Sequence, residues 1–536
     1  MSTSTAAPSP TSTTGPIAEP TPPRHYVVLI VIDANRPVYS ELARLPHIGA
    51  LMRNGVVYER AFVGELESST PDVHVTFGTG TFPRENGFLG FGWAAPQTRV
   101  AVDFRSLLAN RAIDPVLNAL PIPSVAARLH QFMPQAVSVA ASGHKDYAVV
   151  GLGGGSATYE LYGKFTPKTF VPAFLHAPPP LSTAQRKSLV IRQPPMGGED
   201  SWAFRYATMV AARVRPRLLM INVPEMDTWG HWYGPDNRKV FDLLIHNVDR
   251  GVGQIEATYR RLGILDKTDF IVTADHAMME SHAAHNWHVL TNLATLVGAR
   301  AVRADTEGGA MWLQNPNQAK LVAARIVQSV PAHVEAVFYR SNPSDNYEYL
   351  QASPNTWLAG SAVATALKHL VDTTAGRNGP DVWVLYRENY TVVPRNVAGT
   401  WKGTHGGATW KVQHIPLILS GPGIRRGVHS LFPARAIDIA PTMERLLGLP
   451  SIKRDGVALA DSFLDPSKPE TNAQRTVTAP LVADVNALVR QSTADEQPQP
   501  RWPSAPPSIL NCVFPPAVAV PPHRVCQVTP RVATNQ

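Results

Sequence analysis

Seven side chains in this chain are of the types that act on anionic groups, and each lies where an apolar run ends or a turn begins. Ser68-Ser69-Thr70-Pro71-Asp72-Val73-His74 reads as a helix start, with Thr70 as the N-cap and Pro71 at the first helical position. A hydroxyl there sits at the positive end of a helix dipole, where free backbone N–H groups hold a phosphoryl or sulfuryl anion. Asp227 and His231 stand four apart in Pro-Glu-Met-Asp-Thr-Trp-Gly-His, which brings a carboxylate and an imidazole to one side of a helical turn. Asp275 and His276 are adjacent in Thr-Ala-Asp-His-Ala, and His405 lies in Gly403-Thr404-His405-Gly406-Gly407. Asp33 closes the first apolar run. Any one of these alone reads as a capped turn or a hydrogen-bonded histidine; together they read as metal ligands.

Nitrogen and carboxylate donors without thiolate suit zinc first, with manganese or iron as competitors. Six donors suffice for two sites, and two metals about 4 Å apart stabilise both the attacking and the leaving oxygen of an in-line displacement. Thr70, weak as a nucleophile at its free pKa, becomes competent beside such an ion. Lower in the ranking, Lys145 in Gly143-His144-Lys145-Asp146-Tyr147 can reach a substrate anion, and Phe91 with Trp93 can form an apolar wall for a base or aryl leaving group. Gly151 to Gly155 lacks the residues of a phosphate loop or dinucleotide turn and reads as a flexible turn. His282, His285 and His288 read as surface histidines.

The elements that must position these groups follow from the hydrophobic pattern. Short β-rich runs lead into acidic residues: Tyr26 to Ile32 into Asp33, Arg217 to Val223 towards Asp227, Asp269 to Thr273 into Asp275. Continuous apolar runs suit strands buried on both faces of a parallel sheet, whose function lies at the carboxyl ends. Helical spacing intervenes before Asn54-Gly55, over Val240 to Leu262, and over Ile439 to Leu447 before Gly448. The expected fold is an α/β/α sandwich with a mostly parallel sheet, over residues 26–465. Two stretches, about 95–200 and 281–400, break the rhythm and read as cap insertions. Residues 1–25 read as a disordered leader and 466–536 as a Pro-rich tail.

With 44% hydrophobic and 17% charged residues, the 536-residue chain excludes collagen, coiled coil and wholesale disorder. A net charge of +8 without a block of like charges argues against a nucleic-acid groove. Cys512 and Cys526, the two cysteines, both lie in the tail, so a cysteine zinc cluster is not available. No signal peptide or transmembrane segment is visible; oligomeric state and location, whether cytoplasmic, periplasmic or secreted, are not legible.

The chain resembles the alkaline phosphatase superfamily, and within it the type I phosphodiesterase and nucleotide pyrophosphatase branch. The resemblance rests on Val31-Ile32-Asp33-Ala34; Thr70 with His74, Thr76, Thr79-Gly80-Thr81-Phe82-Pro83 and Gly87; Asp227 with His231; Asp275-His276; Thr404-His405-Gly406; and Ala436 to Thr442 with Leu446-Leu447-Gly448 and Asp455-Gly456. It implies one zinc on Asp227, His231 and His405, and another on Asp33, Asp275 and His276 with Thr70 bound to it. It further implies attack by Thr70 on a phosphodiester or nucleotide pyrophosphate, through a phosphothreonine that water then hydrolyses. The chain departs from the branch in reading Pro71-Asp72-Val73-His74 after the nucleophile, Asn86 before Gly87, and Gly90-Phe91 where the family's turn carries an asparagine donor. Loss of that donor removes a hydrogen bond of about 1.5–3 kcal/mol. A phosphomonoesterase, a phosphonate hydrolase and a phosphomutase are the rivals within the superfamily, and a non-catalytic metal-binding descendant is the rival outside catalysis. Threonine at the nucleophile position argues against a sulfatase.

Overall fold

The computed structural model describes residues 25–496, apart from 110–111, 282, 287, 305–307, 330–333, 343–345, 353–355 and 394–399. The leader to residue 24, the tail from 497 with Cys512 and Cys526, and the side chains of His282, His285 and His288 lie outside the described residues.

The run Tyr26–Ile32 is apolar throughout because both of its faces are covered. Val27, Leu29 and Val31 enter one hydrophobic cluster, while Val28, Ile30 and Ile32 enter a second on the opposite face. Each fully buried aliphatic side chain contributes about 1.5–3 kcal/mol, which fixes this strand at the centre of the molecule.

The central sheet has ten strands: β1 (Tyr26–Ile32), β2 (Gly55–Tyr58), β3 (Ser138–Ser142), β4 (Tyr159–Phe165), β5 (Thr169–Phe174), β6 (Ile191–Arg192), β7 (Leu218–Val223), β8 (Thr268–Thr273), β9 (Leu417–Ser420) and β10 (Val428–Ser430). Their order is β10-β2-β9-β8-β1-β7-β3-β4-β5-β6. From β8 through β4 all neighbours run parallel, and the flanking pairs β8–β9 and β4–β5 are antiparallel. Val31 is level with Asn222 on one side and Thr273 on the other, so Asp33, the turn towards Asp227, and Asp275 leave one edge of the sheet.

Helices cover both faces. α1 (Thr70–Thr79), α2 (Asp146–Gly153) and α6 (Ile439–Leu447) contribute Val73, Phe77, Leu152 and Met443 to the first cluster; α3 (Gly198–Val214) and α5 (Arg238–Arg261) contribute Trp202, Phe204, Leu244 and Val248 to the second. Between them in sequence, α4 (Glu225–Tyr233) continues from the end of β7. No described helix is long and apolar enough to cross a membrane.

Four expectations are revised or filled in. Residues 95–200 do not stand apart from the sheet, because β3, β4, β5 and β6 all come from this stretch; its strands are short and broken by Pro and Gly, which hid their rhythm. The stretch 281–400 builds a separate antiparallel sheet of five strands, spanning Ala301–Ala304 to Val382–Tyr386. The tail opens with a 29-residue helix, α7 (Lys468–Glu496), which passes through Pro480 and buries Val485, Ala487 and Leu488. Gly55 starts β2 rather than capping the preceding helix, and a side chain there would strike Leu419 O.

The far end of α1 is pinned by a buried ion network. Arg454 donates to Thr79 O (2.8 Å) and to both oxygens of Glu444 (2.7 Å each), and Arg128 Nε lies 3.0 Å from the same carboxylate. Breaking such a buried network by removing one partner costs about 3–5 kcal/mol. Arg454→Met is expected to lower stability in denaturant unfolding by about 3 kcal/mol, while the exposed Lys453→Met changes it by less than about 0.5 kcal/mol. Equal midpoints for the two variants would show that the network does not hold α1.

Candidate active site

The first cluster is built by adjacent parallel strands. Asp33 follows β1, and Asp275 and His276 follow β8; all three are fully buried. Ala34 takes a left-handed conformation (φ 61°), which a non-glycine residue adopts at a cost, and its N–H donates to Asp275 Oδ1 (3.3 Å). Asn222 on β7 donates to Asp33 Oδ2 (2.8 Å) and accepts from Ser142 Oγ (2.8 Å) at the end of β3. A relay across three neighbouring strands therefore fixes the Asp33 carboxylate.

α4 and a glycine turn build the second. Glu225 and Asp200 cap one another: Glu225 N donates to Asp200 Oδ1 (3.2 Å), and Asp200 N to Glu225 Oε2 (2.8 Å). This fixes the first turn of α4, on which Asp227 and His231 share a face as their spacing predicts. His231 Nε2 lies 3.2 Å and His405 Nε2 3.3 Å from Asp227 Oδ1. His231 Nδ1 donates to Gly403 O (2.9 Å), which turns Nε2 inward, and Trp401 stacks on its ring at 3.8 Å.

Thr70 and Lys145 stand between these clusters. Thr70 is the first residue of α1 and Ser69 its N-cap, one position earlier than the sequence predicts, because Ser69 has the extended backbone (φ −125°, ψ 159°) of a cap. Thr70 Oγ1 donates to Asp33 Oδ1 (3.5 Å). Lys145 Nζ donates to Thr70 Oγ1 (3.1 Å), Asp33 Oδ2 (2.9 Å) and Asp227 Oδ2 (2.7 Å). The reach depends on two glycines where α1 and α2 cross: a Cβ on Gly78 would lie 2.4 Å from Gly151 O, and one on Gly151 would lie 2.7 Å from His74 Cβ. The glycine run of the sequence thus serves close helix packing at Gly151 rather than a flexible turn.

Burial, reinforced by Asp275, pushes Asp33 up to about 7, with Lys145 acting against it. Burial also raises Asp227, but Lys145 and His231 overcome it and hold that carboxylate well below its usual range. For Lys145 burial works against the charge, and Asp227 and Asp33 outweigh it. Burial lowers His74 to about 4, so its neutral ring donates through Nδ1 to Thr70 O (2.8 Å).

Two groups of donors, Asp227/His231/His405 and Asp33/Asp275/His276, have ligand atoms close enough to share an ion, and all six residues are buried. Asp275 Oδ2 and His276 Nε2, 3.6 Å apart, make no hydrogen bond. Zinc bonds of about 2.0–2.1 Å in a tetrahedron put ligand atoms about 3.4 Å apart, close to the 3.2, 3.3 and 3.6 Å found here. The donor set and its spacing therefore fit divalent cations.

Each residue singled out for this chemistry lies in one constellation except Trp93, which packs edge-on against Phe88 in a hydrophobic cluster, and Phe91. The Phe91 ring meets Tyr147 edge-on at 5.1 Å, with the Arg105 guanidinium 4.7 Å over it, beside the helix that Lys145 leads into. Sequence reading missed Asn222 and Ser142. The signal was there for Asn222, a lone amide in the buried strand Leu-Leu-Met-Ile-Asn-Val; Ser142 gave none.

Residues 27–408 match the family described as type I phosphodiesterase / nucleotide pyrophosphatase. A Saccharomyces cerevisiae protein, ectonucleotide pyrophosphatase/phosphodiesterase 2, is 25% identical over 219 residues, which cover 38% of this chain and 41% of the yeast protein. The match thus spans less than half of that relative's length. Wild-type alkaline phosphatase PafA superposes with a TM-score of 0.61 at 14% identity, covering 82% of this chain and 99% of that one. Murine ectonucleotide pyrophosphatase/phosphodiesterase 5 superposes with a TM-score of 0.56 at 14% identity, covering 80% and 97%. At these identities the likeness establishes an alkaline phosphatase-like fold.

Gly151→Val is expected to overpack the crossing of α1 and α2, to destabilise by about 1–3 kcal/mol, and to draw Lys145 away from Thr70. A shift of about 1 Å at reacting groups costs about 100-fold, so turnover of a phosphate ester should fall by that order while the folded fraction stays high. Parent-like turnover in Gly151→Val would show that the close crossing does not position Lys145.

Proposed function

The chain belongs to the type I phosphodiesterase/nucleotide pyrophosphatase family, a family of phosphoric ester hydrolases, and on that premise we propose that it hydrolyses phosphodiester or nucleotide pyrophosphate bonds through Thr70. The observation that carries the reading is that the Thr70 hydroxyl meets Asp33 of one Asp/His triad while Lys145 joins it to Asp227 of the other. Asp227, His231 and His405 would hold one divalent cation, zinc by donor type, and Asp33, Asp275 and His276 the other, with Thr70 beside it. Bound there, such ions supply Lewis-acid stabilisation of the attacking and leaving oxygens.

The residues of the chain supply the rest. Thr70 Oγ1 attacks phosphorus and the bond to the leaving oxygen breaks; water then attacks the phosphothreonine and restores the hydroxyl. Asp33 Oδ1 orients the Thr70 hydroxyl and an N–H of Lys145 points at Thr70 Oγ1, so once the proton passes to solvent the negative oxygen has an ammonium beside it. Lys145 also brings a donor to this site, where the family's asparagine is replaced by Phe91. Phe91, with Tyr147 in place of the expected Trp93, would form the wall for the leaving group.

A second reading, phosphomonoesterase activity, draws on the same Lys145 contact, because a monoester dianion carries one more charge for the ammonium to neutralise. A nitrophenyl phosphodiester and the matching monoester separate the two. Thr70→Ala is expected to lower turnover of the preferred ester at least about 1,000-fold, and Asp275→Ala to do the same while releasing bound metal. Lys145→Met should cost the monoester more than the diester. Parent-like turnover in Thr70→Ala would sink the nucleophile assignment.

A further inference from the structure

A third group of donors lies away from Thr70, at the other end of α2. Asp114 belongs to the short helix Ile113–Asn118, Glu160 to β4, and His176 follows β5. One ligand atom from each lies within 4.8 Å of the other two. His176 Nε2 is 3.2 Å from Glu160 Oε2, and His176 Nδ1 is 3.9 Å from Asp114 Oδ2.

Glu160 is the anomaly. Its side chain is fully buried, and neither carboxylate oxygen accepts a hydrogen bond. A buried carboxylate without donors is costly unless a proton or a cation compensates it. The surroundings are shaped for a cation. A Cβ on Gly153 would sit 2.1 Å from Glu160 Oε1, so only glycine lets that oxygen lie against the end of α2. Gly154 and Gly155 both have positive φ (58° and 66°) and turn the chain away, and a Cβ on Gly155 would press on Asp114 at 3.2 Å. The helix end presents its carbonyl pole, which favours positive charge. Asn118 ties the turn shut, donating to Gly155 O (3.3 Å) and accepting from Ser156 Oγ (2.7 Å).

We propose that Asp114, Glu160 and His176 bind a third divalent cation, zinc by donor type, in a site open on one side to water. Two carboxylates and a neutral imidazole carry two negative charges, which a divalent ion cancels. An N,O,O set fits zinc better than calcium or magnesium, which favour all-oxygen shells. His176 and Asp114 are 29% and 25% exposed, which leaves a path for the ion and room for a water ligand. The ion would pin Ile113–Asn118 to the sheet edge and brace the end of α2 opposite Lys145.

The test is zinc counted per chain in the full-length protein after zinc loading and gel filtration. Asp114→Asn is nearly isosteric and partly exposed, so it removes a ligand without emptying a core, and its melting temperature checks the fold. It is expected to lose one equivalent of zinc relative to the parent. The loss should add to that of Asp275→Ala, which separates this site from the pair beside Thr70. Cobalt in place of zinc should give a visible absorption difference between parent and Asp114→Asn. Equal zinc content in the parent, Asp114→Asn and His176→Asn, with His176 titrating as a plain imidazolium by NMR, would overturn the proposal.

Discussion

Three carboxylates, Asp33, Asp227 and Asp275, are buried together at one end of the central sheet, and their mutual repulsion sets the terms for everything around them. Like charges in a low-dielectric interior do not stay ionised unless cations stand among them. The chain supplies one cation itself, the ammonium of Lys145, and it bonds two of the three carboxylates along with the threonine hydroxyl. The third, Asp275, receives the backbone N–H groups of Ala34 and His276 at one oxygen and no hydrogen bond at the other. One ammonium against three carboxylates leaves a site that is short of positive charge, which is the condition under which divalent ions bind tightly.

That shortage explains features that look expensive in isolation. Ala34 and Ser68 both hold positive φ values, one immediately after Asp33 and the other two residues before Thr70. Strain of this size, about 1–3 kcal/mol per residue, persists only where the surrounding structure over-determines it. Here the determinants are the fully buried β1 on one side and, on the other, α1, pinned at its far end by Arg454. The glycines of the α1–α2 crossing complete the frame, since they set the distance over which Lys145 reaches Thr70.

What was legible in the sequence follows the same physics. Strands buried on both faces must be apolar along their length, so a run that ends in Asp announces both a central strand and its functional end, as Tyr26 to Asp33 does. The i, i+4 pair Asp227/His231 was legible because helical geometry is local. The strands drawn from 95–200 were not, because the outer strands β5 and β6 carry polar residues and Pro172, or are only two residues long, and mimic an insertion. Long-range contacts leave no local trace either. Nothing near Lys145 in sequence points to the carboxylates it meets where its helix packs on α1, and Asp114, Glu160 and His176 come together only in the fold.

Rigid and variable parts of the molecule divide along that line. The six metal-ligand candidates hang from the parallel strands, from α4 and from a glycine turn paired with Met279–Glu280, where small displacements are resisted by close packing. Phe91, Tyr147 and Arg105 instead form a stack of an aromatic pair and a guanidinium, the two rings half-buried and Arg105 exposed. The metal-ligand candidates are thus carried by the sheet and α4, and the aromatic wall by side chains at its rim, where exposure leaves more room for change. The α1–α2 crossing holds the Lys145 ammonium on the Thr70 hydroxyl, so a charged donor is fixed there independently of the ring of Phe91.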